Sequence, residues 1–127
     1  MKITTYQFGE VEFEENSVIN FSSGIFGFEN LKKYLLVQTE EGLFHWLNSI
    51  EQPEIVFPII TLRLIDESFP QKDSHEGFGV VTFNADPLKV TVNMKAPIYV
   101  DQTNKTGYQT ILDEDNFVID YKLFVEE

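Results

Sequence analysis

Polar and apolar residues alternate with a period of two along much of this chain. Glu10-Val11-Glu12-Phe13-Glu14 sets Val11 and Phe13 on one side and three carboxylates on the other, the pattern of a strand with one buried face. Gly9 suits a turn after residues 3–8, so the N-terminus reads as a hairpin. Residues 17–21 predict a third short strand, and residues 34–38 and 43–47 two more around Glu40-Glu41-Gly42. A loop at 51–54 leads into 55–64, the most apolar stretch. The polar segment 66–79, with Pro70, Gly77 and Gly79, reads as the long loop. Strands follow at 79–84, at 89–94 with Val90, Val92 and Met94 inward, at 98–100 after Pro97, and at 108–112 after the turn Asn104-Lys105-Thr106-Gly107. A last alternating run sets Phe117, Ile119, Tyr121 and Leu123 against Val118, Asp120, Lys122 and Phe124. One stretch breaks the pattern. From Phe28 to Tyr34 the spacing of Phe28, Leu31 and Leu35 predicts about two turns of helix, with Glu29 and Lys33 paired at i, i+4. About nine short strands with close turn signals predict a mainly β chain, a small antiparallel β-barrel-like domain with one short helix. No repeat, low-complexity tract or linker divides it, so residues 1–127 read as a single domain.

Composition narrows the function classes. Twelve Phe supply bulky core side chains, and the apolar fraction of 43% is that of a globular protein. There is no cysteine, which removes disulfides, thiol catalysis and thiolate metal sites. The N-terminal residues lack an apolar signal core, and no apolar run approaches the ~18 to 20 residues that span a bilayer; a cytoplasmic location is the expectation. The 21 acidic and 9 basic residues give a formal charge of −12. That field repels nucleic acid and anionic lipid, which are bound by cations that displace counterions. It suits solubility, or an acidic face that meets a basic partner.

Nothing in the chain assembles chemistry. His45 lies between aromatic neighbours and reads as a structural histidine at a sheet surface; His75 lies in the polar loop and reads as solvated. Asp113-Glu114-Asp115 lacks the ligand spacing and central glycine of a calcium loop and reads as a solvated turn. No nucleophile elbow or phosphate loop is present. No catalytic residue, metal, cofactor or small-molecule substrate is expected.

The glycines, prolines and amides fall at points that match a known family. Phe21-Ser22-Ser23-Gly24-Ile25-Phe26-Gly27-Phe28-Glu29-Asn30-Leu31 resembles the "GIPGFE-x-L" signature of the bacterial flagellar assembly factor family FliW, with Phe26 in place of the usual proline. Phe44-His45-Trp46-Leu47-Asn48-Ser49-Ile50-Glu51-Gln52-Pro53 resembles that family's "F-x-x-L-Q-S-x-E-x-P". Thr91-Val92-Asn93-Met94-Lys95-Ala96-Pro97-Ile98 resembles "T-x-N-L-x-A-P-I", and Gly107-Tyr108-Gln109-Thr110-Ile111-Leu112 resembles "G-x-Q-x-I-L". Residues 61–70 depart from the pattern, and the connection to Gly79 is short. The resemblance implies a compact β-barrel-like fold, no enzymatic activity, and two partners: flagellin, bound in the cytoplasm, and the RNA-binding translational repressor CsrA, whose block on flagellin synthesis is relieved.

Against that background Gly24 and Gly27 read as turn glycines. Three residues are the candidate partner-binding positions. Asn93 is expected on an outward strand face, where an amide can pair with a partner's backbone. Gln109 matches a motif position and could equally satisfy a buried backbone group. Trp46, the single Trp, is either a core anchor or an exposed interface residue. The chain is expected to be a monomer. Two other readings stand beside this one: a structural or adaptor β domain without a regulatory role, and a small-ligand barrel, which would need a pocket with convergent polar groups.

Overall fold

The computed structural model describes residues 1–5, 8–38, 42–70, 72 and 74–125. Strands β1 (Lys2–Thr5) and β2 (Gly9–Glu12) form the N-terminal hairpin, with Ile3 opposite Val11. Lys2 lies 3.2 Å from Glu10 and 3.7 Å from Glu12 on the exposed face. Then come β3 (Ile19–Asn20), β4 (Lys33–Gln38), β5 (His45–Ser49), β6 (Val56–Thr61), β7 (Glu76–Thr82), β8 (Thr91–Val92), β9 (Ile98–Asp101), β10 (Thr106–Gln109) and β11 (Tyr121–Lys122).

Seven of these close on themselves in the order β7-β6-β5-β4-β3-β10-β9, with β9 pairing back onto β7. The pairs are antiparallel except β3 and β10, which run parallel where Asn20 faces Thr106. Strand β7 carries two partners on one edge. Its first half pairs with β9, and its end pairs with β8, which in turn pairs with β11. Gly79 sits at the changeover. A Cβ there would lie 2.6 Å from Val92 Cγ1 and 2.8 Å from the Asn93 carbonyl oxygen, so only glycine lets β8 approach.

Two cores follow from the alternation. Ile19, Phe21, Tyr34, Leu47, Ile59, Phe78, Ile98 and Val100 fill the barrel interior. Ile60, Leu62, Phe69, Val81, Val92 and Tyr99 form a second core, against which Phe117 and Leu123 of the C-terminal segment pack. Ile59 and Ile60 belong to different cores, as do Ile98 and Tyr99. Strands buried on both faces cannot alternate in sequence, which explains the unbroken apolar run in β6. Val90, Val92 and Met94 are buried as the spacing requires. In the last run only Phe117 and Leu123 pack inward, while Ile119 and Tyr121 are exposed.

The predicted helix at 28–34 does not form. Phe28 makes an isolated antiparallel bridge to Ile25, Glu29 and Asn30 form a turn, and Lys33 already begins β4. The Phe28 and Leu31 N–H groups donate to Ile25 and Phe28, as in successive tight turns. The next two N–H groups, of Lys32 and Lys33, donate to the Glu51 carboxylate at 2.5 and 2.9 Å. A carboxylate from the β5–β6 turn thus takes the donors a helix would have used. Glu29, expected to pair with Lys33, accepts the Gly27 N–H instead. The helical elements among the described residues are single 3-10 turns at Glu15–Ser17, Leu62–Leu64 and Pro87–Lys89. The long polar connection is shorter than expected, because β7 starts at Glu76. Buried Asp101 closes it. Its carboxylate accepts the Ser74 hydroxyl at 2.7 Å, the Asn104 amide at 2.8 Å, and the Thr103 and Asn104 N–H groups. Those bonds hold its pKa down to about 2.

Candidate protein-binding surface

The motif residues mostly hold the chain to itself. Asn48 is fully buried, and its amide donates to the Ser49 and Pro53 carbonyls at 3.1 and 3.0 Å. The Ser49 hydroxyl accepts the Gln52 N–H at 3.0 Å. The two backbone bonds from Lys32 and Lys33 lower the Glu51 pKa. Burial, reinforced by the Glu51 charge, pushes the Tyr34 phenol up to about 12.

Asn93 lies just past β8, not on an outward strand face. Its side-chain oxygen accepts the N–H groups of Lys95 and Ala96, each at 3.0 Å, and so closes the turn toward β9. Gln109 ends β10 and clamps two distant loops. Its Nε2 donates to the Ala96 carbonyl at 3.0 Å, and its Oε1 accepts the Phe26 N–H at 2.9 Å. The loop it grips turns on Gly24 and Gly27, at φ 70 and 86°. A Cβ on Gly24 would lie 2.6 Å from Glu29 Cα.

Trp46 is the candidate that looks outward. Leu47 points into the barrel, so its neighbour Trp46 faces the other side, opposite Val37 and Pro58. Its ring meets Phe8 edge-on at 6.0 Å and lies 5.9 Å from Phe83, which is 5.1 Å from Phe44. These four rings make one continuous strip. Phe83 is 47% exposed, and Leu43, next to Phe44 in the chain, is exposed as well. The sequence reading missed Phe8, Phe44 and Phe83. Phe44 stands two residues before Trp46, and alternation alone puts it on the same face.

The titratable groups do not converge. His45 shares the inner face with Leu47, its ring 5.2 Å from Phe78. Burial lowers its pKa, with the Glu76 charge opposing, so it belongs to the barrel mouth and not to a sheet surface. His75 is half-buried, not fully solvated, against Tyr108 at 5.3 Å. Asp113, Glu114 and Asp115 are exposed. Among the described residues no three His, Asp or Glu side chains group closely enough to hold a metal ion. A cleft of about 350 Å³ lies between Thr61, Arg63, Phe69, Ser74, His75 and Glu76. Several of its polar groups bond to protein: Thr61 to Glu76, Arg63 to the Phe69 carbonyl, and Ser74 to Asp101. Among the described residues no helix is long and apolar enough to cross a membrane.

Comparison with known proteins agrees with this architecture. A crystal structure of the flagellar assembly factor FliW matches with a TM-score of 0.91, covering 100% of this chain and 99% of that one at 25% identity. The flagellar assembly factor FliW of Clostridium botulinum is 38% identical over 134 residues, 94% of each chain. Those of Clostridium tetani and Lachnospira eligens are each 32% identical, over 100% and 98% of this chain and 98% and 95% of their own. The family model described as FliW protein matches residues 2–72 and 61–123, the two stretches overlapping where the motif pattern departs. The closed barrel thus falls in the class of flagellar assembly factors. The chain belongs to the FliW family.

Proposed function

We propose that this chain is a non-enzymatic, cytoplasmic binding protein that holds flagellin before assembly and antagonises the translational repressor CsrA. Through these two partners it would couple free flagellin to flagellin synthesis. The observation that supports a protein partner is the aromatic strip around Trp46. An exposed ring, Phe83, backed by the partly buried rings of Phe8, Phe44 and Trp46 provides rigid apolar area at little entropic cost, the usual make-up of an interface anchor. Asn93 and Gln109 contribute by fixing loops of the scaffold. The small-ligand reading finds no support in the cleft, whose Thr61, Arg63 and Ser74 bonds are directed to protein.

The test mixes the purified chain with flagellin and, separately, with CsrA, and follows complexes by size exclusion and calorimetry. A complex with each is expected. The double variant Trp46→Ala/Phe83→Ser should lose about tenfold or more in affinity for at least one partner. Binding to neither partner by the unaltered chain defeats the proposal and leaves the structural or adaptor reading.

A further inference from the structure

The sheet over the second core ends in an open edge. Strand β11 pairs with β8 on one side, and among the described residues no strand pairs with its other side. The chain around β11 is held at three points. The Met94 N–H donates to the Val118 carbonyl at 2.8 Å, the Leu123 N–H donates to the Val90 carbonyl at 3.1 Å, and the Phe117 ring packs edge-on against Phe69 at 5.3 Å. Most of the remaining side chains turn to solvent. Val118, Ile119, Tyr121, Phe124 and Val125 are all exposed, Ile119 by 64% and Val125 by 74%. Five exposed large apolar residues thus fall within eight consecutive positions, unlike the singly scattered hydrophobics of an ordinary surface.

The charge around this row selects its occupant. Asp113, Glu114, Asp115 and Asp120 are exposed beside it, against one cation, Lys122. None of the four carboxylates has an ion-pair partner among the described residues. A second copy of the chain would bring the same carboxylates and a charge of −12 to the contact, so self-association is opposed. Nucleic acid and anionic lipid are opposed for the same reason. We propose that the open edge of β11 receives an extended segment of a partner protein in which apolar residues alternate with lysine or arginine. The backbone of that segment adds a strand beside Tyr121 and Lys122. Its apolar side chains cover Ile119 and Tyr121, and its cations meet Asp120 and the carboxylates at 113–115. Because β11 is already in place on β8, the ordering cost falls on the incoming segment alone. This surface is additional to the Trp46 strip and does not depend on which partner that strip holds.

The experiment titrates the isotope-labelled chain with three end-blocked peptides and follows its amide resonances. The first alternates lysine with valine. The second alternates glutamate with valine. The third repeats the first with every amide N-methylated, so that the charge stays and no N–H is left to donate. The lysine peptide should shift the amides of residues 118–122, and the other two should bind about tenfold more weakly or worse. Asp120→Lys and Ile119→Ser should each lower affinity for the lysine peptide about fivefold, with the melting temperature unchanged because both side chains are exposed. Shifts centred elsewhere on the chain, or none at millimolar peptide, overturn the proposal. Equal affinity for the glutamate peptide overturns it by removing the charge selection, and equal affinity for the N-methylated peptide by removing strand addition. Failure here leaves the flagellin and CsrA reading standing, since that is tested with those partners themselves.

Discussion

His45 illustrates how far burial alone can set a residue's behaviour. Its ring packs on Phe78 at the barrel mouth, and among the described residues its buried Nδ1 has no hydrogen-bond partner. Desolvation lowers its pKa against the opposing charge of Glu76. The unfolded chain, with an ordinary histidine near 6.5, therefore binds the proton more readily than the fold. Stability is then unaffected by this group above that value and falls as pH drops below it, until the folded pKa is passed. His45→Phe removes the titration and the unpartnered nitrogen. Urea unfolding of this variant between pH 7 and 5.5 should give a flatter stability curve than the unaltered chain. The same slope in both would show that His45 is not the titrating group. Gln109 and Asn93 teach a different lesson at this scale. Both were recognisable as motif amides, but nothing local reveals that Gln109 reaches a backbone group 83 residues away, nor that Asn93 bends onto the backbone two and three residues on.

Strand positions were readable where one face is buried, and less so where local pattern competes with a distant group. The hairpin of β1 and β2 and the burial of Val90, Val92 and Met94 follow from period-two alternation. The stretch 28–34 has helical spacing, yet the Glu51 carboxylate captures the Lys32 and Lys33 N–H groups and turns the chain into β4. The i, i+3 spacing of Phe28 and Leu31 is still used, because both side chains reach the interior core region from consecutive turns. Glu51 therefore acts as a strand starter, a role that a solvent-exposed glutamate gives no sign of in sequence. Glu51→Ala should destabilise the fold by about 1 kcal/mol, below the usual range for charged hydrogen bonds because solvent screens the site. It should also speed amide exchange at Lys32 and Lys33 relative to Leu47 in the neighbouring strand. Uniform exchange changes across the barrel would argue for general loosening and against this local role. Residues 61–70 show the converse. Their departure from the family pattern is visible in sequence, while the 3-10 turn at Leu62–Leu64 and the buried Phe69 that fill the gap emerge only in three dimensions.

For the whole molecule, the formal charge of −12 is the largest long-range feature, and it bears on one proposed partner more than on the other. If the chain docks beside the RNA-binding surface of CsrA, its carboxylates add a negative field next to a surface that must attract phosphate. RNA affinity then falls without the RNA site being filled. The field reaches only about 8 Å at physiological ionic strength, so the carboxylates must lie near that surface and cannot act merely through net charge. The proposed contact with flagellin through aromatic side chains has no such requirement. Neutralising exposed Glu14, Glu15, Glu114 and Asp115 to their amides leaves the clasps of Asn48, Asp101 and Gln109 untouched. This variant should lose much of its ability to displace RNA from CsrA while binding flagellin within about twofold of the unaltered chain. RNA displacement in a gel-shift titration, set beside flagellin affinity by calorimetry, separates the two effects. Equal loss of both would mean that the carboxylates serve the fold or a common contact. Undiminished displacement would mean that antagonism works by steric occupation of CsrA and not through charge.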